Sequence, residues 1–88
     1  MNWVCDLTED AQGDLRDLPR DVQKRVARVV AQMQMDPYQG DVRALQGEEW
    51  KGVFRRRIGD YRILFALDSQ HRVVRILRIL IRSGKTYR

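Results

Sequence analysis

The chain has 88 residues and a mass of 10.4 kDa; 43% of the residues are hydrophobic and 33% are charged. This length predicts a single domain over residues 1–88, and the composition excludes a disordered segment or a low-complexity linker. One cysteine (Cys5) and one histidine (His71) exclude a disulfide framework and a Cys/His zinc module, and we expect neither metal nor cofactor. Without a recognisable signal peptide or ~20 consecutive apolar residues, we expect a cytoplasmic protein with no membrane partner.

The charged residues are distributed unevenly along the chain. Residues 1–49 contain ten acidic and six basic side chains, for a net charge of −4. Residues 50–88 contain two acidic and eleven basic side chains, for a net charge of +9. The whole basic excess therefore lies in the second half, which predicts a surface that binds a polyanion such as nucleic acid.

The first half of the chain predicts one strand followed by two helices. Trp3–Leu7 is short and rich in β-forming residues. Thr8 then precedes two acidic residues, as a helix N-cap does, and an apolar stripe continues to Pro19. Val22–Met33 repeats apolar residues at helical spacing until the Asp-Pro pair at 36–37. Two helices that meet at Pro19 form a helical hairpin.

The second half predicts three strands. After a connection over residues 38–49, which contains a turn or an edge strand, the strands are expected at Trp50–Ile58, Tyr61–Leu67 and Arg72–Ile81. Gly-Asp at 59–60 and Asp-Ser-Gln at 68–70 are typical of the turns between them. The resulting fold class is α+β with the order β-α-α-β-β-β, an antiparallel sheet with the helical hairpin packed on one face.

Alternation along these strands gathers cations on one side of the sheet. Phe54 and Ile58 are expected to pack beneath the helices, so Lys51, Arg55 and Arg57 lie on the opposite side. Across the turn the next strand adds Arg62, and the third strand adds Arg78 and Arg82. Like charges side by side across strands are destabilising, and an anionic ligand would relieve that repulsion. The alternative is a solvated outer face.

Arg56 does not fit this pattern, since its parity places it with Phe54 and Ile58 on the buried side. Two arrangements would accommodate it. Either Arg56 lies at the sheet edge and extends its charged group to solvent, or a bulge shifts the parity of the strand. The sequence leaves both open.

Residues 45–65 read LQGEEWKGVFRRRIGDYRILF, and residues 75–82 read RILRILIR, followed after four residues by Tyr87-Arg88. A leucine-x-glycine turn, an arginine-rich strand, the motif Gly-Asp-Tyr-Arg and a terminal arginine and tyrosine resemble the RelE/ParE superfamily of type II toxins. The β-α-α-β-β-β order matches as well, so the resemblance covers the whole chain. It implies an endoribonuclease that cleaves messenger RNA in the ribosomal A site without a metal. The partners it implies are a cognate antitoxin and the ribosome-bound messenger.

The resemblance and the required chemistry select the candidate site residues. Metal-independent attack by the 2′-hydroxyl needs a base, cations for the charge on the phosphorane, and an acid for the 5′-oxygen. The candidate catalytic residues are Arg55, Arg62, Arg82 and Tyr87, and the candidate RNA-binding residues are Lys51, Arg57, Arg78 and Lys85. Tyr87, Lys51 and Lys85 are the candidates for base and acid. His71 falls in the opposite turn and is expected to be a surface residue.

Two departures from the family pattern support an alternative function. Leu80-Ile81-Arg82 stands where many relatives have Gly-His-Arg, and Arg55 stands where a lysine base is often found. An arginine cannot be deprotonated in a protein, so it cannot replace that base. The alternative is a ParE-like toxin that inhibits DNA gyrase by binding, without nuclease activity. A degenerate member that only binds its antitoxin or RNA is a third reading.

Overall fold

The computed structural model describes residues 2–81 and contains one five-stranded sheet and two helices. The elements are β1 (Val4–Leu7), α1 (Glu9–Arg16), α2 (Arg20–Met35), β2 (Val42–Ala44), β3 (Val53–Ile58), β4 (Tyr61–Asp68) and β5 (Val73–Ile81), with a short 3-10 helix (Glu48–Trp50) before β3. The predicted α+β fold and its order of elements are confirmed. Neither helix is long and apolar enough to cross a membrane.

The strands lie in the order β1-β5-β4-β3-β2. From β2 to β5 all neighbours are antiparallel, as expected, whereas β1 runs parallel to β5. The sheet is therefore mixed, because the chain leaves β1 through both helices and pairs it with the last strand rather than with a sequence neighbour. The expected connection after α2 contains a three-residue edge strand, β2, beside β3.

Both helices begin at the signals in the sequence, and α2 also ends at its signal, whereas α1 ends at Arg16, before Pro19. The Thr8 hydroxyl accepts a hydrogen bond from the Ala11 N–H at 3.1 Å, which caps α1 above two acidic residues in its first turn. Pro19 occupies the N-cap of α2, and its fixed backbone angle suits the start of a helix. At the other end, α2 stops at Asp36, just before the buried Pro37.

One face of the sheet packs against both helices and forms the core. The buried residues are Ala11, Val22, Val26, Val29 and Met33 from the helices, and Ile58, Ile63, Phe65, Val74, Ile76 and Ile79 from the strands. Phe54 stacks on Phe65 with ring centroids 5.7 Å apart, as its expected position under the helices requires. Complete burial of such a side chain contributes about 1.5–3 kcal/mol. Because successive strand residues alternate, the residues between these point away from the helices.

Side chains from α1 continue the pairing of β5 beyond the end of β1. The strand pairing with β1 stops at Leu7. Past that point the Thr8 hydroxyl donates to the Leu77 carbonyl at 2.9 Å, and the Asp14 carboxylate accepts the Ile79 N–H at 2.9 Å. These bonds satisfy backbone groups of β5 that would otherwise face an open sheet edge.

Asp14 also accepts two hydrogen bonds from Arg78, at 2.8 and 3.1 Å. The Arg78 hydrogen bond is the main reason that the pKa of Asp14 lies below its ordinary value, and burial of the carboxyl group opposes it in part. Only 17% of the Asp14 side chain is exposed, so water screens this pair less than it screens a surface ion pair. Asp14 therefore fixes α1 to β5.

We expect Asp14→Ala to lower the free energy of unfolding by about 2 kcal/mol at pH 7, because it removes a charged hydrogen-bond pair and the acceptor of the Ile79 N–H. Folding lowers the carboxyl pKa, so the contribution is complete above the ordinary aspartate pKa of about 4 and declines as the pH falls through the folded-state value. Urea unfolding of the parent and the variant at several pH values between 7 and the acid range measures this contribution to the free energy of unfolding. Asp17→Ala, at the exposed end of α1, is the control, and an equal loss there would contradict the role of Asp14.

Candidate functional site

Within residues 2–81, six arginines lie on the sheet face that points away from the helices. They are Arg43 from β2, Arg55 and Arg57 from β3, Arg62 from β4, and Arg75 and Arg78 from β5. Arg57 stands directly opposite Arg62, and Arg43 directly opposite Arg55. Directly opposed residues have Cβ atoms about 5 Å apart, so these pairs bring like charges together. We call these six residues the arginine face.

Carboxylates from three different elements neutralise part of the arginine face. Asp41 lies 3.4 Å from Arg55, Asp6 lies 3.7 Å from Arg75, and Asp14 lies 2.8 Å from Arg78. In the described part of the chain, no carboxylate lies within ion-pair distance of Arg43 or Arg57. Arg43 and Arg57 therefore carry positive charge that no described carboxylate neutralises, and they lie on the neighbouring strands β2 and β3.

The structure brings three of the sequence-predicted site residues together. Arg55, Arg57 and Arg62 lie on adjacent strands and on the same face, as expected. Arg78 belongs to this face too, but its guanidinium turns to the sheet edge and binds Asp14. Three further candidates, Arg82, Lys85 and Tyr87, lie outside the described residues, so their roles stay predictions.

The expectation that Lys51 extends the strand face of Arg55 is wrong. β3 begins only at Val53, and Lys51 is an exposed residue at the end of the 3-10 helix. Between them Gly52 has a φ of 81°, a left-handed conformation that interrupts strand alternation. The RNA-binding role of Lys51 stays a prediction.

Arg56 keeps its parity on the inner strand β3, between Val42 of β2 and Ile63 of β4, and only its side chain extends to the margin of the sheet, as in the first of the two arrangements left open. The register of β3 against β4 is continuous from Val53 to Ile58, so β3 contains no bulge. The Arg56 guanidinium donates to the Gln39 carbonyl at 2.9 Å and lies directly against Gly40. The absence of a side chain at Gly40 makes room for this charged group.

Sequence reasoning missed Arg43 and Asp41 as parts of this surface. Arg43 lies in an edge strand of three residues, which is too short to show an alternating pattern. Asp41 precedes that strand, and its approach to Arg55 depends on the pairing of β2 with β3. His71 is exposed in the turn between β4 and β5, where it was expected, and pairs with Asp68 at 2.9 Å.

Comparison with known proteins assigns the chain to a family. Residues 6–85 match the family described as the ParE toxin of the type II toxin–antitoxin system parDE. The chain belongs to this toxin family. It is accordingly the toxin of a type II toxin–antitoxin system and a member of the RelE/ParE superfamily, as the sequence motifs implied. No curated protein matches it.

Solved toxin structures share the fold of this toxin. In the toxin–antitoxin complex RelBE2 of Mycobacterium tuberculosis, one chain is 29% identical with a TM-score of 0.83, over 93% of this toxin and 100% of that chain. A chain of the RelE–RelB complex of Pyrococcus horikoshii is 23% identical with a TM-score of 0.80, over 96% of this toxin and 99% of that chain. The isolated Escherichia coli RelE toxin is 16% identical with a TM-score of 0.77, over 92% of this toxin and 85% of that chain. At these identities the last two structures show the fold alone.

Two glycine substitutions test the backbone at Gly40, beside Arg56. Gly40 has a φ of 92°, which strains any residue with a Cβ, and the Arg56 guanidinium would also have to move aside, so we expect Gly40→Ala to destabilise the toxin by about 1–3 kcal/mol. Gly13→Ala is the matched control, because Gly13 lies in α1 with its nearest neighbouring atom at 3.8 Å. We expect that control to stabilise by about 0.5–1 kcal/mol in urea unfolding. A change in the free energy of unfolding of the same sign for both variants would contradict this arrangement.

Proposed function

We propose that this toxin is a ribosome-dependent endoribonuclease that cleaves messenger RNA and is silenced by a cognate antitoxin. The observation that carries the proposal is the Arg57–Arg62 pair, two arginines opposed on neighbouring strands of the arginine face. Opposed like charges destabilise a sheet by tenths of a kcal/mol, a cost that a bound phosphate reverses. The likeness to RelBE2, a toxin–antitoxin complex, supports both the RelE-type assignment and the antitoxin partner.

In the proposed reaction the 2′-hydroxyl attacks the adjacent phosphorus and the bond from phosphorus to the 5′-oxygen breaks. The products are a 2′,3′-cyclic phosphate and a 5′-hydroxyl. Arg55, Arg62 and Arg82 would stabilise the additional negative charge of the phosphorane, a task that arginine performs well, and Arg57 would bind RNA beside Arg62. A base must accept the proton of the 2′-hydroxyl and an acid must protonate the 5′-oxygen. Tyr87, Lys85 and Lys51 are the proposed donors and acceptors of those protons.

The proposed antitoxin segment is acidic and amphipathic and folds on the toxin as it binds. Solved relatives from Mycobacterium tuberculosis, Pyrococcus horikoshii and Escherichia coli are complexes of toxin with antitoxin. A net charge of +9 over residues 50–88 supports an acidic partner on this side of the toxin. We propose that the segment covers the arginine face and neutralises Arg55 or Arg62, or acts at Arg82 by displacing the residues after it.

Inhibition of DNA gyrase by binding is the second candidate function. The match to the ParE toxin family favours it, and so does the chemistry of the arginine face, on which residues 2–81 place no histidine or lysine. Mapping of messenger 5′ ends in a translation extract, run beside a gyrase supercoiling assay, separates the candidates. New ends that require ribosomes support the nuclease. Inhibited supercoiling with intact messenger would replace it with the gyrase-binding function.

The salt dependence of RNA binding should identify the arginine face as the site. About three to five phosphate contacts predict a log–log slope near −0.7 per contact for a single strand. We expect Arg62→Ala to flatten this slope by about one contact, because one phosphate loses its cation. Arg16→Ala and Arg28→Ala, on the helices, should leave it unchanged. Fluorescence anisotropy with a short RNA at several salt concentrations measures the slopes, and equal losses from both faces would indicate diffuse charge.

Tyr87→Phe tests the proposed proton transfer, because it removes the hydroxyl and keeps the ring. If Tyr87 is the general acid, we expect the single-turnover cleavage rate to fall by about 10²-fold or more, while affinity for the ribosome stays within a few-fold. A 2′-deoxy substitution at the scissile nucleotide should abolish cleavage by the parent toxin, since the attacking group is absent. Cleavage by Tyr87→Phe at the parental rate would transfer the acid role to Lys51 or Lys85.

A further inference from the structure

A cleft of about 500 Å³ opens at the end of the sheet away from the Arg57–Arg62 pair. It is lined by Asn2, Trp3, Val4, Gln34, His71 and Arg72. The strand β4 carries Arg62 near one end and finishes at Asp68, close to the turn that supplies the last two of these residues. Six residues of strand span about 20 Å, so the cleft is a separate place from the proposed RNA site.

An unusual backbone conformation builds one wall of this cleft. Arg72 has a φ of 57° and is the one non-glycine residue with a positive φ among residues 2–81. Side chains other than glycine rarely adopt this conformation, and such outliers cluster at functional sites. The Arg72 guanidinium lies over the ring of Trp3, 5.6 Å from its centroid. Trp3 in turn meets Tyr38 edge-to-face at 6.4 Å.

The surface around the cleft is apolar and exposed. Val4, Met35 and Tyr38 are 63%, 58% and 56% exposed, and only two other large hydrophobic residues in the described part of the chain are exposed to solvent. Val4 lines the cleft, Tyr38 contacts Trp3, and Met35 follows the lining residue Gln34. Tryptophan, tyrosine and arginine are the residues that dominate binding energy at protein interfaces, and methionine is enriched there. This combination indicates a protein partner.

The charges at the cleft favour a protein over RNA. Among the described residues that line it, Arg72 supplies the one guanidinium, whereas a nucleic-acid strand requires several cations. His71 is paired with the Asp68 carboxylate, and Asp36 lies beside Tyr38 and accepts its N–H at 3.0 Å. These carboxylates repel phosphates. A single carboxylate within an otherwise apolar segment, by contrast, matches the planar donors of Arg72.

We propose that this cleft anchors a segment of the protein antitoxin, which places an apolar side chain against Trp3, Val4 and Tyr38 and a carboxylate on Arg72. The inference rests on the antitoxin partner of the proposed function and names a second place where that partner binds. The antitoxin then contacts the toxin at two ends of the sheet. Because the cleft lies apart from the arginine face, substitutions in the cleft should change neutralisation by the antitoxin without changing toxicity.

Two substitutions test the anchor without removing core packing. Arg72→Gly deletes the guanidinium and allows the positive φ without strain, and Tyr38→Ala removes an exposed ring. We expect each to weaken binding of the purified cognate antitoxin by about tenfold or more, as loss of an interface anchor does. Calorimetric titration measures the affinity, and a thermal melt of each variant verifies folding. Arg28→Ala, exposed on α2, is the control and should bind as the parent does.

Toxicity is measured beside affinity, in cells that express the toxin with and without the antitoxin. We expect both cleft variants to inhibit growth as the parent does when expressed alone, and to escape neutralisation. Unchanged affinity in both variants would overturn the proposal. A loss of toxin self-association instead would assign the cleft to a second copy of this chain, and a loss of RNA binding would assign it to RNA. Antitoxin affinity is independent of RNA cleavage, so failure of the nuclease proposal remains distinguishable.

Discussion

Burial of one sheet face beneath α1 and α2 determines where the charged side chains of the strands can lie. Ile63 and Phe65 enter the core, so the intervening and preceding residues must face the other way. A slip of one residue in the register of β4 would exchange the two sets and bury Arg62, which makes the register strongly specified. The same constraint places Arg56 on the helix side, and its guanidinium reaches Gln39 and Gly40 in the segment before the edge strand β2. The arginine face is therefore a direct consequence of the core.

Acidic residues limit the repulsion that this constraint creates. Asp6, Asp14 and Asp41 come from β1, α1 and the segment before β2, and each pairs with one arginine of the face. The Asp6–Arg75 pair is exposed and contributes at most about 1 kcal/mol, whereas the Asp14 and Arg55 side chains are largely shielded from water. All three pairs change the distribution of charge on the face. Among the described residues they leave Arg43 and Arg57 without a carboxylate at ion-pair distance, so a phosphate bound by these two arginines displaces no ion pair.

Local signals in the sequence predicted the starts of both helices, the presence of three long strands and the common face of Arg55, Arg57 and Arg62, although β3 begins at Val53 rather than at Trp50. These features depend on caps, prolines and alternation over neighbouring residues. The parallel neighbour of β1 and the contact of Asp14 with β5 were not predictable, because both join segments more than sixty residues apart without a local pattern. The cleft at Arg72 was not predicted, for a related reason. Its shape depends on one left-handed arginine in a turn, a position that sequence rules assign to glycine or asparagine.

The position of β5 between β1 and β4 also determines when this toxin acquires its fold during synthesis. β1 has no strand partner, and Thr8 and Asp14 have no backbone partners in β5, until Val73–Ile81 has been made. Contacts between residues so distant in the chain form slowly, since closing a long loop costs entropy before the contact stabilises it. Without β5 the core lacks three of its strand residues, and the arginine face lacks Arg75 and Arg78. A nascent chain therefore completes the core and the arginine face only after the last of its described strands has been made.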